Sequence, residues 1–265
     1  MKLDLEKSAD SLRLSLEKGG VTAPTAELAF NLDVSGSFEG LHLDGATTLL
    51  LARLVPWGMV FDPDKKLDIF TFSDGKDHAC YAGEITPQNY EGFVCREIVN
   101  RVPGWNGGTD YSYVLEKTLQ HFGWLAGSAG SAPAVVKPPK VGFMKRWFGG
   151  GVPSEQAGSG PQPESVGKKR SICIFITDGE ANGTDKSRTR QILSQSEKRG
   201  DLVYFLFLGI NKNSGEKFAF LQEIADAYGN TGLTIVRDLQ VFTEMTDEEL
   251  NAELIGDELL EWLKK

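Results

Sequence analysis

Two apolar runs constrain this chain more than anything else in it. Leu28-Ala29-Phe30-Asn31-Leu32 leads into Asp33-Val34-Ser35-Gly36-Ser37, and Ile172-Cys173-Ile174-Phe175-Ile176 leads into Thr177-Asp178-Gly179-Glu180. Short runs of this kind read as buried strands, the sort that helices cover on both faces. Each run ends in a carboxylate, and the first adds hydroxyls at alternate positions. Alternate residues near a strand end can point side chains the same way. One carboxylate with two hydroxyls is an oxygen-only donor set suited to a hard cation such as Mg²⁺, which holds octahedral geometry and keeps several waters. The plain alternative is a polar turn after a strand, and the short pattern alone does not separate the two.

Strand and helix signals alternate along the rest of the chain. Leu5, Ala9, Leu12 and Leu16 recur at helical spacing and predict an N-terminal helix over 4–18, stopped by Gly19-Gly20. Strands are expected at 25–33, 67–73, 78–83, 169–177, 202–208 and 232–236, and helices at 45–56, 109–124, 185–199, 215–228 and 246–262. Leu67, Ile69 and Thr71 alternate with Asp68, Phe70 and Phe72, and Asp74-Gly75 is a hairpin signal, so the 78–83 strand returns antiparallel. Thr246 followed by Asp247-Glu248-Glu249 marks a capped helix start. Asp62-Pro63-Asp64 has the Asp-x-Asp form of a phosphatase nucleophile, but Lys66 follows and the Pro-Asp pair favours a turn. The alternation implies an α/β fold with a doubly wound sheet. We expect residues 1–20 to form a helix ahead of a 21–265 domain, which a 127–167 insert interrupts.

That insert is rich in Gly, Ser, Pro and Ala and reads as a disordered loop. It carries Val141-Gly142-Phe143-Met144-Lys145-Arg146-Trp147-Phe148-Gly149, where aromatic and basic residues adjoin. Such a patch serves as a linker, a docking motif for an acidic groove, or a contact for an anionic membrane surface. Residues 127–169 hold a local excess of basic side chains, while the whole chain is at −9. This balance argues against general nucleic-acid binding. No run of eighteen apolar residues suggests a transmembrane helix, and the charged opening lacks a signal-peptide core. Cys80, Cys95 and Cys173 form an odd set without paired spacing, and Cys173 falls inside a strand run. We expect a cytoplasmic protein without structural disulfides. His42, His78 and His121 are scattered and make no zinc pattern.

A third stretch, Pro103-Gly104-Trp105-Asn106-Gly107-Gly108-Thr109-Asp110, is a glycine-rich loop ending in a hydroxyl at an expected helix start. Alone, Thr109 serves as a helix N-cap or as an ion ligand. The three stretches together resemble the metal-ion-dependent adhesion site of the von Willebrand factor A (vWA) family: Asp-x-Ser-x-Ser, then Thr, then Asp. Asp33, Ser35, Ser37, Thr109 and Asp178 fill its five positions. The resemblance implies a Rossmann-like, mostly parallel six-stranded sheet in the order 3-2-1-4-5-6, with one antiparallel edge strand and helices on both faces. Asp33 and Asp178 would then meet at the switch in strand order, where ligands sit in such sheets. It also implies a divalent cation (Mg²⁺, with Mn²⁺ or Ca²⁺ as substitutes) and a partner protein that supplies a carboxylate to it. Val102 to Asp110, Leu67 to Ser73, Ser15-Leu16-Glu17-Lys18 and Thr246 to Leu250 are most similar to the bacterial tellurium-resistance (TerF/TerY-like) and copine-like branch. That branch implies a non-enzymatic interaction module in a stress response.

Two other classes stay open. A vWA subunit of a chelatase-like complex would share the ion site, but no ATP-binding glycine loop with Lys and Ser or Thr occurs here, so the ATPase would be a partner. A metal-dependent hydrolase or phosphatase would need a base, for which only Asp110 and Glu180 stand near the motifs. Neither a Gly-x-Ser-x-Gly elbow nor a Ser-His-Asp order is present.

Overall fold

The computed structural model describes residues 4–126, 167–211 and 218–265. The insert's Phe143 to Phe148 patch and the first residues of the helix expected at 215–228 lie outside these. Helix α1, Leu5–Lys18, is capped by Asp4, whose carboxylate accepts from the Lys7 N–H at 3.2 Å. Strand β1, Glu27–Asp33, follows, then a short helix α2, Glu39–Leu43, and a long helix α3, Ala46–Phe61. Strands β2, Leu67–Phe72, and β3, Cys80–Ile85, make the edge of the sheet. After a π-helical turn at Val94–Ile98 come α4, Ser112–His121, and β4, Ser171–Thr177. The remainder is α5, Gly183–Arg199; β5, Val203–Ile210; α6, Ala219–Ala227; β6, Thr231–Val236; α7, Leu239–Glu244; α8, Asp247–Leu254; and α9, Asp257–Leu263.

The six strands form one sheet in the order β3-β2-β1-β4-β5-β6, parallel except for β3. Alternate strand residues feed two cores. Leu28, Phe30, Leu32, Ile172, Ile174 and Ile176 join α1, α3, α8 and α9 on one face. Phe70, Phe72, Cys173, Phe175, Phe205 and Phe207 join α4, α5 and α6 on the other. Asn31 is the polar residue in the middle of β1, between the terminal Glu27 and Asp33. It is fully buried and accepts from Thr118 Oγ1 at 2.8 Å, which ties α4 to the sheet.

Several expected boundaries are corrected. The helix placed at 45–56 runs on to Phe61, with Pro56 inside it. Leu50, Leu51, Leu54, Val55, Trp57 and Phe61 are all buried, and that packing outweighs the helix hydrogen bond the proline forfeits. The returning strand expected at 78–83 lies at Cys80–Ile85, because a 3₁₀ turn at Lys76–His78 lengthens the hairpin loop. The last helix, expected as one piece over 246–262, breaks at Ile255-Gly256. Gly256 caps α9, and Asp257 and Glu258 sit at its positive end. The helix α7 was not foreseen. Thr246 and Glu249 do form the reciprocal capping box of α8.

Candidate functional site

Strand order reverses between β1 and β4, and in open α/β sheets the ligand crevice lies beyond the carboxyl ends of the strands at such a switch point. Leu32 is level with Ile176, and Asp33 and Thr177 therefore leave the sheet side by side. The Asp33 carboxylate is fully buried. Its Oδ1 accepts from the Ser35 N–H at 2.8 Å, and its Oδ2 accepts from Thr177 Oγ1 at 2.6 Å. Burial pushes this carboxyl up from its ordinary 3.8 to about 6. The hydrogen bonds from Ser35 and Thr177 pull the other way, and Asp178 nearby adds to the rise.

Beyond Asp33 the hydroxyls line up. Ser35 Oγ and Ser37 Oγ are 3.2 Å apart, and Ser37 Oγ donates to Asp178 Oδ1 at 2.8 Å. Ser35 and Asp178 are buried, and Ser37 opens to solvent. The glycine-rich loop runs beside this one. Gly36 N donates to Gly107 O and Asn106 N to Val34 O, each at 2.9 Å, and Ser35 bridges to Gly107. The glycine-rich loop also packs against the loop after β2, and that approach demands glycine. Gly104 sits at φ +75°, and a Cβ there or on Gly107 would collide with Ser73 Oγ, the latter also with Asp74. Thr109 at the end of this loop lies over Gly179: a Cβ on Gly179 would stand 3.1 Å from Thr109 Oγ1.

The structure thus brings Asp33, Ser35, Ser37 and Asp178 into one hydrogen-bonded row, with Thr109 against the backbone next to Asp178. Thr109 is not a helix cap, because α4 begins at Ser112 with Tyr111 in the N-cap position. The donors are all oxygens, two carboxylates and three hydroxyls. The ligand oxygens of an octahedral Mg²⁺ stand about 3 Å from their neighbours. The Ser35–Ser37 and Ser37–Asp178 separations of 3.2 and 2.8 Å match that edge. The Ser35, Ser37 and Asp178 oxygens are therefore spaced to fit a small hard cation.

Three residues missed from the sequence support the row. Thr177 donates to Asp33, and its hydroxyl also lies 3.3 Å from the buried Tyr111 OH, which donates to the Gly179 carbonyl. A lone hydroxyl closing an apolar strand was a readable signal. His42, on α2, is fully buried. Its Nε2 lies 2.8 Å from the Asp33 carbonyl, an acceptor only, so Nε2 carries the proton; Nδ1 faces Thr47 Oγ1 at 2.9 Å. Its ring meets Phe38 edge-on and Trp105 at a tilt, with centroids 5.0 and 5.3 Å away, and so joins the first loop to the glycine-rich one. Nothing local in the sequence distinguishes His42. Among the described residues no helix is long and apolar enough to cross a membrane.

The chain matches no protein-family model. A Bacillus subtilis (strain 168) protein described as "Uncharacterized protein YcbR" is 24% identical over 267 aligned positions, which span 99% of this chain and 87% of that protein. Among solved structures, proximal thread matrix protein 1 from the mussel byssus superposes with a TM-score of 0.44 at 13% identity, over 86% of this chain and 47% of that one. The pilus adhesin SpaC from Lactobacillus rhamnosus GG, in its open conformation, also gives 0.44, at 10% identity, over 87% of this chain and 30% of that one. This chain spans about half, or less, of those two structures.

Proposed function

We propose that the crevice between β1 and β4 is a metal-ion-dependent adhesion site of the vWA type, and that the chain is a protein-interaction module. Asp33, Ser35, Ser37, Thr109 and Asp178 would hold a divalent cation, Mg²⁺ in the first place. The observation that carries this reading is the row of oxygens from Ser35 through Ser37 to Asp178, spaced as neighbouring ligands of one small cation. When bound, the ion supplies an electrophilic centre for a partner's carboxylate. The chain's own part is to keep that centre electron-poor. Three of the five donors are neutral hydroxyls, so two carboxylates neutralise a divalent charge without adding net negative charge at the site. Asp33 is shielded from water by its burial and held by Ser35 and Thr177, while the exposed Ser37 marks the open side.

The partner is then a protein with an exposed Asp or Glu, and the setting we propose is a cytoplasmic bacterial stress response of the tellurium-resistance kind. Capture from cytoplasmic extract, with Mg²⁺ and with chelator, compares the wild type with Asp33→Ala. Proteins lost on both chelation and substitution support the reading. A set of bound proteins that ignores both treatments places the interface elsewhere.

A further inference from the structure

Helix α4 has no cap of its own: Tyr111 in the N-cap position offers no side-chain hydrogen bond. Two of the orphan N–H groups at its start are satisfied from another helix. Asp185, in the first turn of α5 and 4% exposed, accepts from Tyr111 N at 2.8 Å through Oδ2 and from Ser112 N at 3.1 Å through Oδ1. Thr189 Oγ1 fixes the carboxylate from behind at 3.2 Å. A cap borrowed from α5 does something a local one cannot: it ties the backbone just after Thr109 to the loop that runs on from Asp178.

Further bonds run the same way. Asn182 accepts from Asp185 N at 2.9 Å, and its amide donates to Asp110, whose other oxygen accepts from Gly75 N at 2.9 Å. Asp74 accepts from Gly108 N at 2.9 Å. Tyr111 OH reaches back to the Gly179 carbonyl. The loops after β2 and β4 and the glycine-rich loop are therefore one latched unit.

We infer that Asp185 is a positioning residue of the crevice, holding Thr109 in register with Asp178 so that the donor set stands assembled before an ion arrives. The inference rests on the ion reading above. Without Asp185, ion binding must itself order the Thr109 loop. Removing an outer-shell partner of a metal site commonly lowers affinity by about 10- to 100-fold.

The test has two arms. In chelator, amide hydrogen exchange over 107–112 is compared between the wild type, Asp185→Ala and the isosteric Asp185→Asn, which keeps one acceptor if the alanine variant folds poorly. Exchange faster in both variants supports the latch, and unchanged exchange overturns it whether or not any ion binds. In the second arm, Mg²⁺ is titrated calorimetrically. Asp185→Ala should bind about tenfold more weakly or worse, and Asp185→Asn by a smaller factor. On a Thr109→Ala background the Asp185 effect should shrink to about twofold, the usual spread of additive changes. Wild-type affinity in both Asp185 variants, or a full effect that persists without the Thr109 hydroxyl, overturns the positioning role. A wild type that takes up no Mg²⁺ removes the ion reading and with it the role toward Thr109, while the exchange arm still decides the latch.

Discussion

Asp33 is where burial and charge conflict most directly. Its folded carboxyl titrates near 6 against an ordinary 3.8, chiefly because it is buried. A folded value above the unfolded one means the folded state binds the extra proton, so ion-free stability falls as pH rises from 3.8 to 6 and stays low above it. The gap corresponds to about 3 kcal/mol at most. A divalent cation bound beside Asp33, as proposed, would relieve this cost where the carboxyl is ionised and would have to displace a proton below about pH 6. We therefore expect saturating Mg²⁺ to raise the melting temperature clearly at pH 7.5 and hardly at pH 5. Equal shifts at the two values would sink the assignment of Asp33. Thr177→Val tests the same carboxylate from the other side. It leaves Oδ2 without its 2.6 Å donor, which costs about 1–3 kcal/mol for a buried acceptor, and Mg²⁺ affinity should drop at least tenfold as for other outer-shell losses. Chemical denaturation in chelator and Mg²⁺ titration read the two effects separately. Asp33, Ser35, Ser37, Thr109 and Asp178 were singled out in the sequence by the joint likeness of three separate stretches to one motif, and the fold brings those stretches together. Thr177 left a signal as the lone hydroxyl closing an apolar strand; Asp185 left none, since the α4 backbone it bonds lies far off in the chain, and His42 left none although Asp33 and Thr47 are near it in sequence, because only the fold turns its ring onto them.

Among the elements, the strands were easier to read than the helices, for a physical reason. A strand buried on both faces has to be apolar nearly throughout, as β4 and β5 are, and their short length with β-branched and aromatic residues separates them from a buried helix. Helix limits depend on packing that the sequence does not display. Pro56 reads as a stop because it removes a helix hydrogen bond, yet α3 continues, buried on most sides, to Phe61. The break at Gly256 went unread because Leu250, Leu254, Leu259 and Trp262 keep an apolar face on both sides of it. Gly58 shows how closely α3 is seated. A Cβ there would fall 2.9 Å from the Lys66 carbonyl and from Leu67 Cδ2, at the very start of β2. The carbonyl is backbone and cannot swing aside, so Gly58→Ala must push the helix off the sheet. We expect a loss of about 1–3 kcal/mol, the usual cost of overpacking, visible as a lower urea midpoint with an unchanged slope. A stability equal to that of the wild type would mean that α3 yields more easily than its burial implies.

For the molecule as a whole, the standing of α1 decides what counts as the domain. The sequence suggests a helix set ahead of a self-sufficient unit over 21–265. The contacts of α1 argue for a larger cooperative body. Ala9, Leu12 and Leu16 are buried in the same core as β1, β4 and α3. Ser8 Oγ donates to Asp247 Oδ2 at 2.8 Å, Arg53 pairs with Asp247 Oδ1 at 2.8 Å, and Arg53 also donates to the Met245 carbonyl at 2.6 Å. One carboxylate thereby joins α1, α3 and α8, with the Arg53 side chain only 9% exposed. Each buried leucine contributes roughly 1.5–3 kcal/mol. Removing α1 also uncovers the core surface beneath it and leaves Arg53 and Asp247 more open to water, which weakens a pair partly shielded now. The total, on the order of 5 kcal/mol, is comparable to the whole net stability of an ordinary domain, about 5–15 kcal/mol. We expect the shortened chain 21–265 to unfold at a much lower urea concentration than the full chain, or to aggregate, even with Mg²⁺ present. A shortened chain that keeps the full urea midpoint would instead make α1 an appendage, free to serve as a contact for another protein, because the core would then have no need of it.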